Sequence, residues 1–318
     1  MIGRPSRKAF LNQEDLVARI RAGDRRALAR ALTLAENRQP EAREILATVY
    51  LDTGKATVLG LTGPPGVGKS TLADALAQHA TKNGRRVGIL AFDPSSPFTG
   101  GALLGDRARM ESGSQSSDVF IRSMATRGHV GGLASAAFEA IALLEAAGKD
   151  FILVETIGTG QDEVEVATAV GLTVVILAPG LGDEIQASKA GLLEIADVLV
   201  VNKSDREGAD RLTAELGAAQ AGTADPTIIM RTVATKGEGV EELLAELESL
   251  ETSRPLGAEV RPKRFVEGWL REVVVQALED KVQAQEWEKA VQAILDRSKD
   301  PFTAAEEILA SICGKENR

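Results

Sequence analysis

Cysteine and histidine are nearly missing from this chain of 318 residues: Cys313 is the single thiol, and His79 and His129 are the only imidazoles. One cysteine excludes an internal disulfide and a thiolate metal cluster, and it fits a reducing compartment, with the cytoplasm as the expected location. So few soft donors, so widely scattered, also argue against a nickel carrier. No run approaches the roughly eighteen apolar residues of a membrane-spanning helix. The start, Met1 to Lys8, is basic but lacks the apolar core of a secretory signal and reads as a plain terminus. Positive charge is in deficit as well: 37 Lys and Arg face 46 Asp and Glu, a net charge of −9, which disfavours nucleic acid or an anionic membrane as partner. What the chain does have is apolar bulk. At 44% hydrophobic residues it can bury one large domain with helical appendages.

The stretch that organises the rest is Gly63-Pro64-Pro65-Gly66-Val67-Gly68-Lys69-Ser70, followed by Thr71. It lies between a strand-like run and a helix-like run, the context that the phosphate-loop pattern G-x-x-x-x-G-K-[ST] requires. Glycines let successive backbone N–H groups face one anion, and the helix behind adds the positive end of its dipole. Lys69 is expected to reach the β- and γ-phosphates, and Ser70 to hold magnesium.

Around this stretch the pattern changes twice. Residues from about Glu14 to Thr53 read as helices, with Asp24 placed to cap one and Pro40 to start another. From Ala56 the β-branched runs 56–62, 86–92, 151–155, 172–177, 198–202 and 227–231 alternate with helical patterns. That predicts an α/β fold: a mainly parallel sheet covered by helices on both faces, with ligands outside the carboxyl ends of its strands. Beyond about Arg254-Pro255 only helices are predicted, and a wide apolar face there holds Phe265, Trp269, Val273 and Ala277 beside Val266, Leu270, Val274 and Leu278. The expected division is a helical arm over 1–55, a phosphate-loop domain over 56–255 and a C-terminal helical arm over 256–318.

The second decisive stretch is Asn202-Lys203-Ser204-Asp205 at the end of the run 198–202. It resembles the guanine-recognition motif of GTPases. A carboxylate at Asp205 accepts from both guanine N1–H and the exocyclic amine, whereas adenine offers neither donor at those places, so GTP is expected and ATP disfavoured. Asn202 is expected at the base edge or the loop, and the Lys203 stem along the base plane. Val233, Ala234 and Thr235 follow a later strand and would close over the base through their backbone. Three carboxylates, Asp93, Asp106 and Glu155, are candidate magnesium or water-shell ligands beside Ser70, with Glu155 directly off a strand. Gly158 gives the following loop freedom to rearrange around a γ-phosphate, and Gln161 is a candidate for orienting the attacking water.

These strings, together with Thr99-Gly100-Gly101, Leu104-Gly105-Asp106-Arg107 and Gly182-Asp183-Glu184-Ile185-Gln186, resemble those of the methylmalonyl-CoA mutase-associated GTPases, the MeaB and ArgK-like proteins. The resemblance implies a homodimeric GTPase using Mg2+, with a C-terminal dimerisation arm. It implies a chaperone that gates adenosylcobalamin loading and protects or reactivates an acyl-CoA mutase, meeting the cobalamin only through that partner. It also implies that Lys189 is the lysine of a third switch loop, acting with Lys69, Asp93, Asp106, Glu155 and Gln161 on the catalytic side. Rival readings are a nickel-delivery GTPase and a kinase acting on an amino acid or a transport protein.

Overall fold

The computed structural model describes residues 13–94, 118–126, 132–156, 169–180, 193–221, 223, 226–253 and 263–315. They fall into two compact units, one up to Val266 and one from Glu267 onward.

The first unit is built on seven strands: β1 (Thr57–Thr62), β2 (Val87–Pro94), β3 (Val119–Thr126), β4 (Phe151–Thr156), β5 (Leu172–Leu177), β6 (Val198–Asn202) and β7 (Ile228–Thr232). Their order across the sheet is β3-β2-β4-β1-β5-β6-β7, and each neighbouring pair runs parallel. β1, β4, β5 and β6 are buried along their whole length, the outcome expected of continuous apolar strands covered on both faces. One face packs on α4 (Lys69–Lys82) and α7 (Val240–Ser253), where Leu59, Leu61, Ile89, Leu153, Val174 and Ile176 meet Leu72, Leu76, Leu243 and Leu247. Toward β7, α6 (Ala209–Ala219) covers Val175, Leu199 and Val201 with Leu212 and Leu216. Against β2 and β4, the sheet carries α5 (Gly132–Ala146).

Three N-terminal helices, α1 (Gln13–Arg21), α2 (Arg25–Glu36) and α3 (Pro40–Val49), pack on α5. Asp24 caps α2 by accepting from the N–H groups of Arg26 and Ala27, and Pro40 opens α3, as the sequence predicts. The exit from this helical layer is fixed by a group the sequence reading did not single out. Glu145, on α5 and 7% exposed, accepts from three successive N–H groups, of Gly54, Lys55 and Ala56, at 3.0–3.1 Å through one carboxylate oxygen. Another departure is β3. Its sequence is interrupted by Arg122 and lacks the continuous apolar signature, but it lies at the sheet edge and Arg122 leaves the sheet to pair with Glu36 of α2 at 2.8 Å.

The second unit comprises the remainder of α8 (Lys263–Lys281), with α9 (Ala284–Leu295) and α10 (Pro301–Lys315). Asp300 caps α10 through the N–H groups of Phe302 and Thr303, and α9 and α10 pack together with Ala304 and Ile312 buried. Much of the apolar surface of these helices stays exposed: Leu270, Trp287, Leu295 and Phe302 are 59–82% accessible. No helix among the described residues is long and apolar enough to cross a membrane.

Candidate functional site

The polar motifs gather where the strands end. β1 runs directly into the phosphate loop, β4 ends at Glu155-Thr156, β6 at Asn202 and β7 at Thr232, with Leu61 beside Glu155 and Asn202 beside Thr232 in the sheet register. This is the carboxyl edge where parallel sheets bind ligands.

The phosphate loop depends on two glycines. Gly63 has φ 141°, and a Cβ there would come within 2.1 Å of the carbonyl oxygen of Ile176. Gly68 has φ 99°, and its Cβ would meet the side-chain nitrogen of Asn202 at 2.6 Å. Any other residue would push the loop off its neighbouring strands. Gly66, by contrast, faces open space at the loop's outer side. Lys69 is 7% exposed and donates to the carbonyls of Gly63 at 2.7 Å and Pro64 at 3.1 Å, so its ammonium is held inside the loop curvature at the start of α4. Ser70 Oγ donates to Glu155 Oε1 at 2.6 Å, which brings a hydroxyl and a buried carboxylate together beside the phosphate loop. One residue further along, the Thr156 hydroxyl donates to the Thr62 hydroxyl at 3.1 Å and ties the ends of β4 and β1.

At the other end, Asn202 is 2% exposed and bonded to protein through both its amide nitrogen and its oxygen. Its amide donates to the Val67 carbonyl at 2.9 Å, while its oxygen accepts from the Thr232 hydroxyl and the Ala234 N–H, both at 3.1 Å. Its side chain thereby braces the phosphate loop against the end of β7. Lys203, in a left-handed conformation at φ 55°, donates to Gly66 O at 2.6 Å, so its stem spans the phosphate loop. Asp205 lies 39% exposed on the same turn, and its Oδ2 accepts from Lys236 Nζ at 3.0 Å. That hydrogen bond, with a smaller pull from Arg206, holds the Asp205 carboxyl below the usual carboxylate range and raises Lys236 in turn. Lys236 belongs to the Val233–Glu238 turn, and the sequence reading gave it no role. Nothing local identifies it, because its partner lies 31 positions away, beyond α6 and β7.

The structure therefore brings together Lys69, Ser70 and Glu155 at one end and Asn202, Lys203, Asp205, Val233 and Ala234 at the other. Asp93 is placed by its backbone alone, in register with Ala125 near the end of β2. Asp106, Gly158, Gln161 and Lys189 lie outside the described residues. Magnesium prefers hard oxygen donors and needs only one or two carboxylates beside phosphate and water, so the adjoining Ser70 hydroxyl and Glu155 carboxylate fit it. Among the described residues no group of three or more His, Cys, Asp or Glu side chains converges as a metal site.

The sequence profile of the methylmalonyl Co-A mutase-associated GTPase MeaB matches residues 28–287. A Pyrococcus abyssi protein with a provisional GTPase name is 46% identical over 318 residues, covering 95% of this chain and 97% of its own. The methylmalonic aciduria type A homolog of Mus musculus, a mitochondrial protein, is 38% identical over 266 residues, 76% of this chain and 64% of its own. The GTPase ArgK of Escherichia coli is 43% identical over 194 residues, 59% and 58% of the two chains. Among solved structures, a protein described as LAO/AO transport system kinase superposes with a TM-score of 0.68 at 26% identity, over 96% of this chain and 99% of that one. The phosphate loop, the Asn-Lys-x-Asp turn and the matched length agree: the chain belongs to the methylmalonyl-CoA mutase-associated GTPase family, and it is a GTPase.

Proposed function

We propose that this GTPase is a nucleotide-gated chaperone of an adenosylcobalamin-dependent acyl-CoA mutase, controlling cofactor loading and protecting or reactivating the enzyme. The observation that carries the reading is the family match over residues 28–287, supported by relatedness to the methylmalonic aciduria type A homolog. Lys69 and the loop amides bind the phosphates, and Asp205 reads guanine with Asn202 and Lys203 bracing the pocket. Val233, Ala234 and Thr235 close over the base. Ser70 and Glu155, with Asp93 and Asp106, would hold Mg2+ directly or through water, and the ion would supply charge neutralisation at the phosphates. Gln161 orients the attacking water, Gly158 lets its loop follow the γ-phosphate, and Lys189 reports nucleotide state to the mutase.

The working unit is a homodimer formed through the C-terminal arm, residues 256–318. In support, Leu270, Val273, Val274 and Leu278 of α8 and Trp287 of α9 are exposed, a density of large apolar side chains that a folded chain normally covers. The phosphate-loop domain, 56–255, then carries the chemistry, and the helical arm, 1–55, stabilises it from outside. The test is co-purification with an adenosylcobalamin mutase from the same source, with GDP and with a non-hydrolysable GTP analogue. The expected result is a nucleotide-dependent complex and faster GTP hydrolysis on adding the mutase. No complex and no acceleration with any such mutase overturns the reading.

A further inference from the structure

We propose that Lys236 is a specificity-setting residue of the guanine site: it fixes the Asp205 carboxylate in one rotamer, with its charge matched, so that both oxygens face the base. This rests on the assignment of Asp205 as the guanine reader.

The two loops concerned are already joined. Asn202 accepts from Thr232 and Ala234, and the Ser204 N–H donates to the Thr232 carbonyl at 3.0 Å, so the turn after β6 and the turn after β7 move together. The second turn is itself closed by the Val233 N–H on Glu238 O at 3.0 Å and the Lys236 N–H on Val233 O at 2.8 Å. Lys236 is thus presented from a fixed backbone toward a carboxylate on a fixed backbone.

As a contribution to folding, such a pair is of little use. Lys236 is 54% and Asp205 39% exposed, and water screens an ion pair of that kind. The circumstances change when a planar base covers Asp205. Water leaves, the local dielectric falls, and a lone carboxylate would take up a proton more readily. A protonated Asp205 keeps one acceptor oxygen and turns the other into a donor that opposes guanine N1–H or the exocyclic amine. A cation at 3.0 Å prevents this, and because each carboxylate oxygen has two acceptor positions, Lys236 on Oδ2 leaves room for the base.

Among the described residues, other charges nearby do not substitute for it. Lys203 is committed to Gly66 O, and Arg231 to Asp210 and Ser204 O, whereas Arg206 acts on Asp205 only at longer range. The Glu238 charge acts on Lys236 in the same direction as Asp205 and favours its charged form.

The experiment measures GDP and IDP affinity of the full chain between pH 5 and 8 for the native protein, Lys236→Ala, Lys236→Arg and Asp205→Ala. IDP keeps N1–H and lacks the exocyclic amine. Lys236→Ala is expected to lower the GDP-to-IDP preference about fivefold and to move the acid loss of GDP binding to higher pH, while Lys236→Arg restores both. An unchanged preference and an unchanged pH profile in Lys236→Ala overturn the proposal. If Asp205→Ala meanwhile loses guanine preference, the guanine reading stands without Lys236. If Asp205→Ala keeps the native preference, the reading and the proposal fall together.

Discussion

The two units of this protein treat their side chains in opposite ways. Around the phosphate loop nearly every polar group is engaged: Lys69 by two carbonyls, Ser70 by Glu155, Asn202 by three separate partners, Asp205 by Lys236. In the C-terminal helices it is the apolar groups that lack cover, with Phe302 at 82% and Leu295 at 70% exposure. A site that must hold a nucleotide repeatedly has its donors and acceptors preorganised before the ligand arrives. A surface built for another protein can leave its apolar area open until that protein docks.

Paired substitutions give the largest contrast. Leu76→Ala, in the packed face of α4, is expected to cost about 2–5 kcal/mol in chemical denaturation, because Leu76 is fully buried among sheet side chains. Leu270→Ala, on the exposed face of α8, is expected to change stability by less than about 0.5 kcal/mol. Equal losses would erase the distinction. Leu270→Asp then sharpens it by separating folding from assembly: the expected outcome is a monomer by light scattering with an unchanged unfolding midpoint.

Lys69→Ala is expected to lower the GTP hydrolysis rate at least about a hundredfold while the circular dichroism spectrum stays native. Less than tenfold would remove Lys69 from the charge-stabilising role.

A smaller effect comes from Glu139 on α5, a partly buried carboxyl near Arg38 and Arg43. Burial pushes it up to about 7, against the pull of both arginines. Since the folded value lies above the unfolded one, the folded protein binds the extra proton between them, and stability falls as pH rises from about 4.5 through 7. Glu139→Gln should flatten that part of the stability profile and gain about 1–3 kcal/mol at pH 8. Asp24→Ala, which removes the cap of α2, is expected to cost about 1 kcal/mol by the same measurement.

What could be read from the sequence were the local features. Gly63 to Ser70 announces its own turn, Asp24 and Pro40 mark helix starts, and β1, β4, β5 and β6 are mostly apolar and buried throughout because both faces are covered. The features that escaped are non-local. β3 carries Arg122, which interrupts the apolar pattern and is accommodated by Glu36 of α2, 86 positions away. Glu145 looks like an ordinary charge near a helix end, yet three amides of the segment entering β1 converge on it. β7 runs from Ile228 to Thr232, one residue later than its β-branched pattern predicts, so that Thr232 stands beside Asn202. Lys236 acquires a partner only once β6 and β7 are side by side.

Asn202 has one further consequence. Because a single side chain joins Val67 in the phosphate loop to Thr232 and Ala234 at the end of β7, a ligand that repositions one of these loops repositions the other through the same three hydrogen bonds. Guanosine and inorganic pyrophosphate, unconnected by any covalent bond, should therefore bind with positive heterotropic coupling, and replacing Asn202 with alanine should uncouple them.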